Sequence, residues 1–247
     1  MIKFFRKIRY DLMEKNKTGK YFKYAIGEIV LVVIGILIAL QINNWNENNK
    51  LEAKTQDYYK QLLEDLKKDK EFSKKTIEQF NKRREEFENY KKDYYSTNLT
   101  LIEVHEKLLN LKMNSIPIIF NSNTIESLQN SGEIALIPSN LRNKLIDLKN
   151  SQNLIISNQN ANDLQKHNTL QRTFSLFGNF GFQKRVANQK DLKSLLVTNE
   201  NRREIILGLE NVQAWTNFSE TTSLRSLQDL LVEIDIIEEK INKETEE

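Results

Sequence analysis

The side chains that could do chemistry are few, and their spacing fits none of the reactions they could support. The chain has 247 residues and no cysteine, which excludes disulfides, thiolate nucleophiles and cysteine metal sites. His105 and His167 are its two imidazoles. They lie far apart, and neither has the His-x3-His or HExxH context that sets two groups on one helical face. Both read as solvated helix positions. No serine and histidine fall in a nucleophile–base arrangement, and no glycine-rich loop offers to cradle a phosphate. The 34 Asp and Glu are interleaved with 37 Lys and Arg, so no carboxylate pair is singled out for acid–base work. An enzyme is therefore not expected, and neither a cofactor nor a metal is implied.

Three other groups stand out. Glu28 is a carboxylate near one end of the most apolar stretch. It shares a helical face with Val32, Gly35 and Ala39, and Gly35 and Ala39 form a small-xxx-small pair that lets two helices approach closely. Glu28 reads either as a boundary residue reaching headgroups, Lys20 or Lys23, or as part of a self-association face. Proton transfer is the weakest reading, since one span cannot build a pathway. The second group, Phe174, Phe177, Phe180 and Phe182, is interleaved with Gly178 and Gly181 and followed by Lys184 and Arg185. It is either a turn whose aromatics close the end of a bundle or a surface loop that grips a partner. The third, Lys3, Arg6, Lys7 and Arg9, surrounds an apolar face of Ile2, Phe5, Ile8 and Leu12. That pattern suits a helix lying on an anionic lipid surface, with docking to a protein as the alternative.

The element that must position these groups is Tyr24–Ile42, YAIGEIVLVVIGILIALQI. Twelve branched aliphatics lie between Ile26 and Ile42. Together they favour insertion by about 5 kcal/mol. As a helix the stretch is roughly 28 Å long, close to the thickness of a bilayer's hydrocarbon core. A buried core helix is the competing reading, but no other segment is nearly as apolar. Residues 1–23 carry eight Lys and Arg against Asp11 and Glu14, whereas residues 29–247 carry 29 cations against 31 acids. The excess places the N-terminus in the cytoplasm and the remainder outside. It also locates the chain's net +3 in the tail, so nucleic-acid binding is not expected. Trp45 beyond the span reads as an interface anchor. A cleaved signal peptide fits less well, because the region before the apolar run is long and no A-x-A site follows Leu40.

The chain thus divides into a basic tail (1–23), a transmembrane helix (24–42) and a helical domain (43–247). Few glycines and prolines, with abundant Leu, Lys, Glu and Asn, argue for helix throughout. KNKTGK at 15–20 reads as a short polar turn. From beyond Trp45 to about Tyr95, helical spacing aligns Tyr59, Leu62, Leu66, Asp69, Ser73, Thr76, Phe80, Arg83, Phe87, Tyr90 and Tyr94, with the four polar residues grouped in the middle. Thr100 and Glu103 form a capping box. SIPIIF, around Pro117, is too short for a helix and reads as an extended link. Asn123 or Thr124 caps a helix that Gly132 stops. Ser139 caps another, which begins with Leu141, Leu145 and Leu148 and turns Asn/Gln-rich between 150 and 168, implying looser packing or a wet interior. The last long helix ends in a heptad, Leu227, Leu230, Ile234, Ile237 and Ile241, and NFSETTS at 217–223 is a place where it could kink. The expected fold is all-α: one transmembrane helix, then an elongated antiparallel bundle. The heptad and the Gly35–Ala39 face are compatible with a homodimer.

The block MIKFFRKIR, followed by YAIGEIVLVVIGILIALQINNWNE, resembles a family of single-span membrane proteins common in Bacteroidota whose domain has no known function. NTIESLQNSGEIALI and LRNKLIDL resemble that family's internal motif. The resemblance is strong over 1–47 and moderate over 123–148. It implies a bacterial inner-membrane protein with an outward, periplasmic helical domain, and it brings no catalytic residue. The expected role is an interaction module that holds membrane lipid and an unidentified envelope protein. A ligand-sensing receptor acting through a separate cytoplasmic partner is the alternative.

Overall fold

The computed structural model describes Arg6, Tyr10 and residues 18–177, 182–196 and 199–246. Every element described is helical: α1 (Thr18–Ser96), α2 (Leu101–Asn110), α3 (Asn123–Asn130), a 3-10 turn (Glu133–Leu136), α4 (Ser139–Phe177), α5 (Phe182–Val186), α6 (Lys190–Leu196) and α7 (Asn199–Glu246). The chain divides into two units, residues 1–57 and 58–247.

In the first unit, helix begins at Thr18, inside the stretch expected to be a polar turn. It continues past Trp45, where the change in polarity had suggested an end to the apolar helix. No glycine or proline falls between Gly35 and Ser96, so nothing in the backbone chemistry interrupts the hydrogen-bond ladder. The aliphatics from Ile26 to Ile42 are exposed on every face of α1, and none of its most apolar 18-residue window is buried. Near the N-terminus, then, lies one helix long and apolar enough to cross a membrane.

The second unit has an interior of its own. From Tyr58 onward α1 is one-sided: Tyr59, Leu62, Leu66, Asp69, Ser73, Thr76, Phe80 and Tyr90 are buried, on the lattice expected from their spacing. Its partners are α7 and α4. Lys70 pairs with Asp235 at 2.5 Å and Glu238 at 2.7 Å, Arg83 with Glu220 at 2.8 Å, and Tyr90 with Glu210. Residue numbers thus rise along α1 as they fall along α7. α7 runs unbroken through 217–223, with no division there. Its heptad is buried inside this chain, with Leu227, Leu230, Ile234, Ile237 and Ile241 each at most 1 % exposed. The stripe is used in the protein's own core.

Two apolar clusters result. The larger joins Leu62 and Leu66 of α1, Leu128, Ile137, Leu141, Leu145 and Leu148, and the α7 heptad. The smaller joins Tyr90, Val104, Leu108, Ile205, Ile206 and Leu209. Each fully buried Leu or Ile contributes about 1.5–3 kcal/mol. The local punctuation follows the sequence closely. The Thr100–Glu103 capping box forms, and Gly132 takes φ 75°, a left-handed value that suits glycine. At α3 the cap lies one residue earlier than expected, at Ser122, and the Thr124 hydroxyl donates instead to Asp65 at 2.7 Å.

Candidate functional site

Between the two clusters the interior of the second unit is polar. The grouped polar positions of α1 meet the Asn/Gln-rich part of α4 and a polar stretch of α7. Gln152, Gln159, Lys166, Thr216, Ser219, Glu220 and Ser223 are all buried there. The reason lies in the extended link between α2 and α3. An extended segment carries unpaired backbone N–H and C=O groups, and burial is tolerated only if those groups find partners. Side chains of the long helices supply them in sequence along the link. Arg83 donates to the Asn114 carbonyl at 2.7 Å and to its Oδ1 at 3.1 Å. Lys166 donates to Ser115 Oγ at 2.6 Å, and Gln159 to the Ile116 carbonyl. Asp69 accepts from the Asn121 backbone N–H at 2.7 Å and from its side-chain amide at 2.9 Å. Gln152 also donates to Asp69, at 2.7 Å.

Charge is set in this belt by burial. Loss of water raises the pKa of Asp69 above its ordinary 3.8, and the N–H donors from Asn121 and Gln152 only partly oppose that. Burial likewise raises Glu220 above 4.5, opposed by its bond to Arg83. Lys166 sits 2.9 Å from Asp163. Ser73 Oγ, Gln152 Oε1, Gln159 Oε1 and Gln213 Nε2 are buried and have no hydrogen-bond partner among the described residues. Gln213 also lines a small cavity of about 10 Å³ with Arg83, Arg84, Lys112, Thr216 and Glu220.

Further along, α4 and α7 approach so closely that a Cβ on Gly208 would lie 2.8 Å from Thr173 Cγ2 and nearer still to its hydroxyl. Beside this contact an open cleft of about 420 Å³ is lined by Thr169, Arg172, Ser175, Glu204 and Asn211. On another part of α7, Trp215 and Phe218 meet edge to face, 5.9 Å between ring centres, beside an apolar groove of about 320 Å³. Near the smaller cluster, Tyr90 and Tyr94 both donate to Glu210, and burial raises the pKa of both phenols. Burial lowers the pKa of His105.

The residues singled out from the sequence are distributed as follows. Lys3, Lys7 and Arg9 lie outside the described residues, while Arg6 is helical and exposed. Glu28 is half-buried, and Val32 and Ala39 are exposed. Gly35 has open space where a Cβ would stand. Trp45 is exposed. Of the phenylalanine run, Phe174 is half-buried at the end of α4. Phe180 lies outside the described residues, as do the side chains of Phe177 and Phe182. Sequence reasoning noticed the polar middle of α1 and the polar run of α4 separately. It did not join them, because their common partner is the link, which carries no helical periodicity.

No curated protein and no solved structure matches the chain. A family model does, over residues 28–191, from within α1 to the start of α6. The chain belongs to that family, described as a family of unknown function (DUF6090).

Proposed function

We propose that this is a single-pass protein of the bacterial inner membrane, with its N-terminus cytoplasmic and a periplasmic antiparallel helical bundle that binds another envelope protein. It acts by binding and not by catalysis. The observation that carries the reading is the pairing, in one chain, of a helix with apolar side chains on all faces and a separate unit with a complete core. The first requires a nonaqueous surrounding, and the second does not. The positive tail ahead of the helix favours the cytoplasmic N-terminus. The order of the α1–α7 pairs supports the antiparallel arrangement. For the docking surface, α7 offers Leu207 and Phe218, 70 % and 55 % exposed, with Trp215 beside them. Aromatic anchors of this kind dominate binding energy at interfaces.

The test is photo-crosslinking in native membranes, with probes at Leu207, Phe218, Phe177 and Ala39. A recurrent envelope protein captured at the α7 positions is the expected result. Capture at Ala39 of the same chain alone, with nothing at α7, would reject partner binding and leave self-association through the Glu28–Val32–Gly35–Ala39 face. The cleft lined by Arg172, Glu204 and Asn211 favours a second reading, a receptor for a small polar ligand. Such a receptor would need a separate cytoplasmic partner to pass on the signal.

A further inference from the structure

Several opposite charges that face each other from different helices of the second unit close into pairs. Lys70 meets Asp235 and Glu238, Arg83 meets Glu220, and Lys149 meets Glu126. Arg172 of α4 and Glu204 of α7 do not. Both are exposed and line the open cleft of about 420 Å³, yet neither side chain is paired with the other or with any described residue. The hydroxyls on the α4 side of the cleft are already committed as donors. Thr169 donates to the Gln165 carbonyl at 3.0 Å, Thr173 to that of Thr169 at 2.8 Å, and Ser175 to that of Arg172 at 2.6 Å. What they still offer is lone pairs, which suit a cation. Asn211 lines the cleft and also the apolar groove of about 320 Å³ that it forms with Ala214, Trp215 and Phe218. Glu204, Gly208, Asn211, Trp215 and Phe218 follow the four–three spacing of a single helical face, so cleft and groove are successive parts of one track. From Gly208 to Trp215 the helix rises about 10 Å, comparable to the length of phenylalanine.

We propose that this track binds a small zwitterion with an apolar side chain, the chemistry of an apolar amino acid. The ligand's carboxylate meets Arg172, and its ammonium meets Glu204 and the hydroxyl oxygens. Its side chain passes Asn211 into the groove of Trp215 and Phe218. The inference rests on the receptor reading of the cleft and names the ligand that reading left open. A cleft with one charge of each sign is matched by a ligand that also carries one of each. An anion or a cation answers only one wall, and a neutral polar molecule answers neither with a charge-assisted hydrogen bond. The cleft's volume lies within the range of small-molecule pockets, about 300–1,000 Å³, and the groove beside it supplies the apolar lining that such sites use.

Trp45 and Trp215 are the two tryptophans, so in the full-length Trp45→Phe protein in detergent the tryptophan fluorescence reports the groove alone. Phenylalanine is titrated beside N-acetylphenylalanine, which lacks the ammonium, phenylalanine amide, which lacks the carboxylate, alanine and glucose. The expected result is a saturable change with phenylalanine, about tenfold weaker binding of each capped compound and of alanine, and no response to glucose. In Arg172→Ala, phenylalanine and its amide should bind alike. In Glu204→Ala, phenylalanine and its N-acetyl derivative should bind alike. A merely structural role for either residue would weaken all the compounds together, and that outcome overturns the proposal. So does a capped compound, alanine or glucose binding as tightly as phenylalanine, which would leave the cleft a receptor for a different ligand. Silence to every compound, while acrylamide still quenches Trp215, removes the receptor reading as well.

Discussion

Around Leu62, Leu145 and Ile234 the interior of the second unit is hydrocarbon, while around Arg83, Lys166 and Glu220 it is ionic and hydrogen-bonded. The two regions share the same three helices. They differ in what is being covered. The apolar region seals mainly helix against helix, with Ile118 of the link joining it, and any side chains of suitable volume will do there. The polar region seals helices against an extended link, whose backbone groups need specific partners. The first is tolerant of chemistry and sensitive to volume, and the second is the reverse.

That contrast can be broken at its strongest point first. Arg83→Ala leaves Glu220 buried without its cation and Asn114 without its donors, so the unit should lose about 3–5 kcal/mol. Urea unfolding of the full chain in detergent, followed by circular dichroism, measures it. Arg83→Met combined with Glu220→Leu should recover most of the loss, because no charge is then stranded. A double variant as unstable as the single one would show that the ion pair itself, and not its imbalance, supports the belt. In the apolar region, Leu145→Ala should remove about 3 kcal/mol through lost burial and a residual cavity. Leu145→Met, equal in volume, should stay near the parent, and a large loss there would contradict volume tolerance.

The smallest effect sharpens the comparison through pH. Asp69 has its pKa raised by burial, so the folded state takes up its proton more readily than the unfolded chain does. Its contribution to stability therefore falls as pH rises from about 3.8 through the raised value, and recovers on acidification. Asp69→Asn should flatten that part of the profile of urea midpoint against pH. Leu145→Ala should lower the whole profile and leave its slope alone. Identical slopes for the parent and Asp69→Asn would remove Asp69 from the account.

What the sequence disclosed follows the same division. The apolar lattice of α1, the Leu141–Leu145–Leu148 face, the terminal heptad, the Thr100 cap and the Gly132 stop are local patterns, and each is where its spacing placed it. The continuity of α1 through Trp45 was hidden by a change of polarity, which alters the surroundings a helix prefers and not the backbone ladder itself. The belt was visible only as weak spots in α1 and α4. Asp69 with Asn121, or Lys166 with Ser115, are pairings set by tertiary position, and no period in the sequence encodes them.

The connectivity of the belt also bears on how the protein is made. Arg83 reaches Asn114, 31 residues away, but Glu220 lies 137 residues on. At translation rates of about 5–20 residues per second, the second partner emerges roughly ten seconds after the first. In the later part of that interval α1 and α4 exist without the α7 heptad, and the leucines of the larger cluster lack its cover. A ribosome stalled before residue 227 would hold a nascent chain with its apolar faces open, so the arrival of α7 sets when the larger cluster can close.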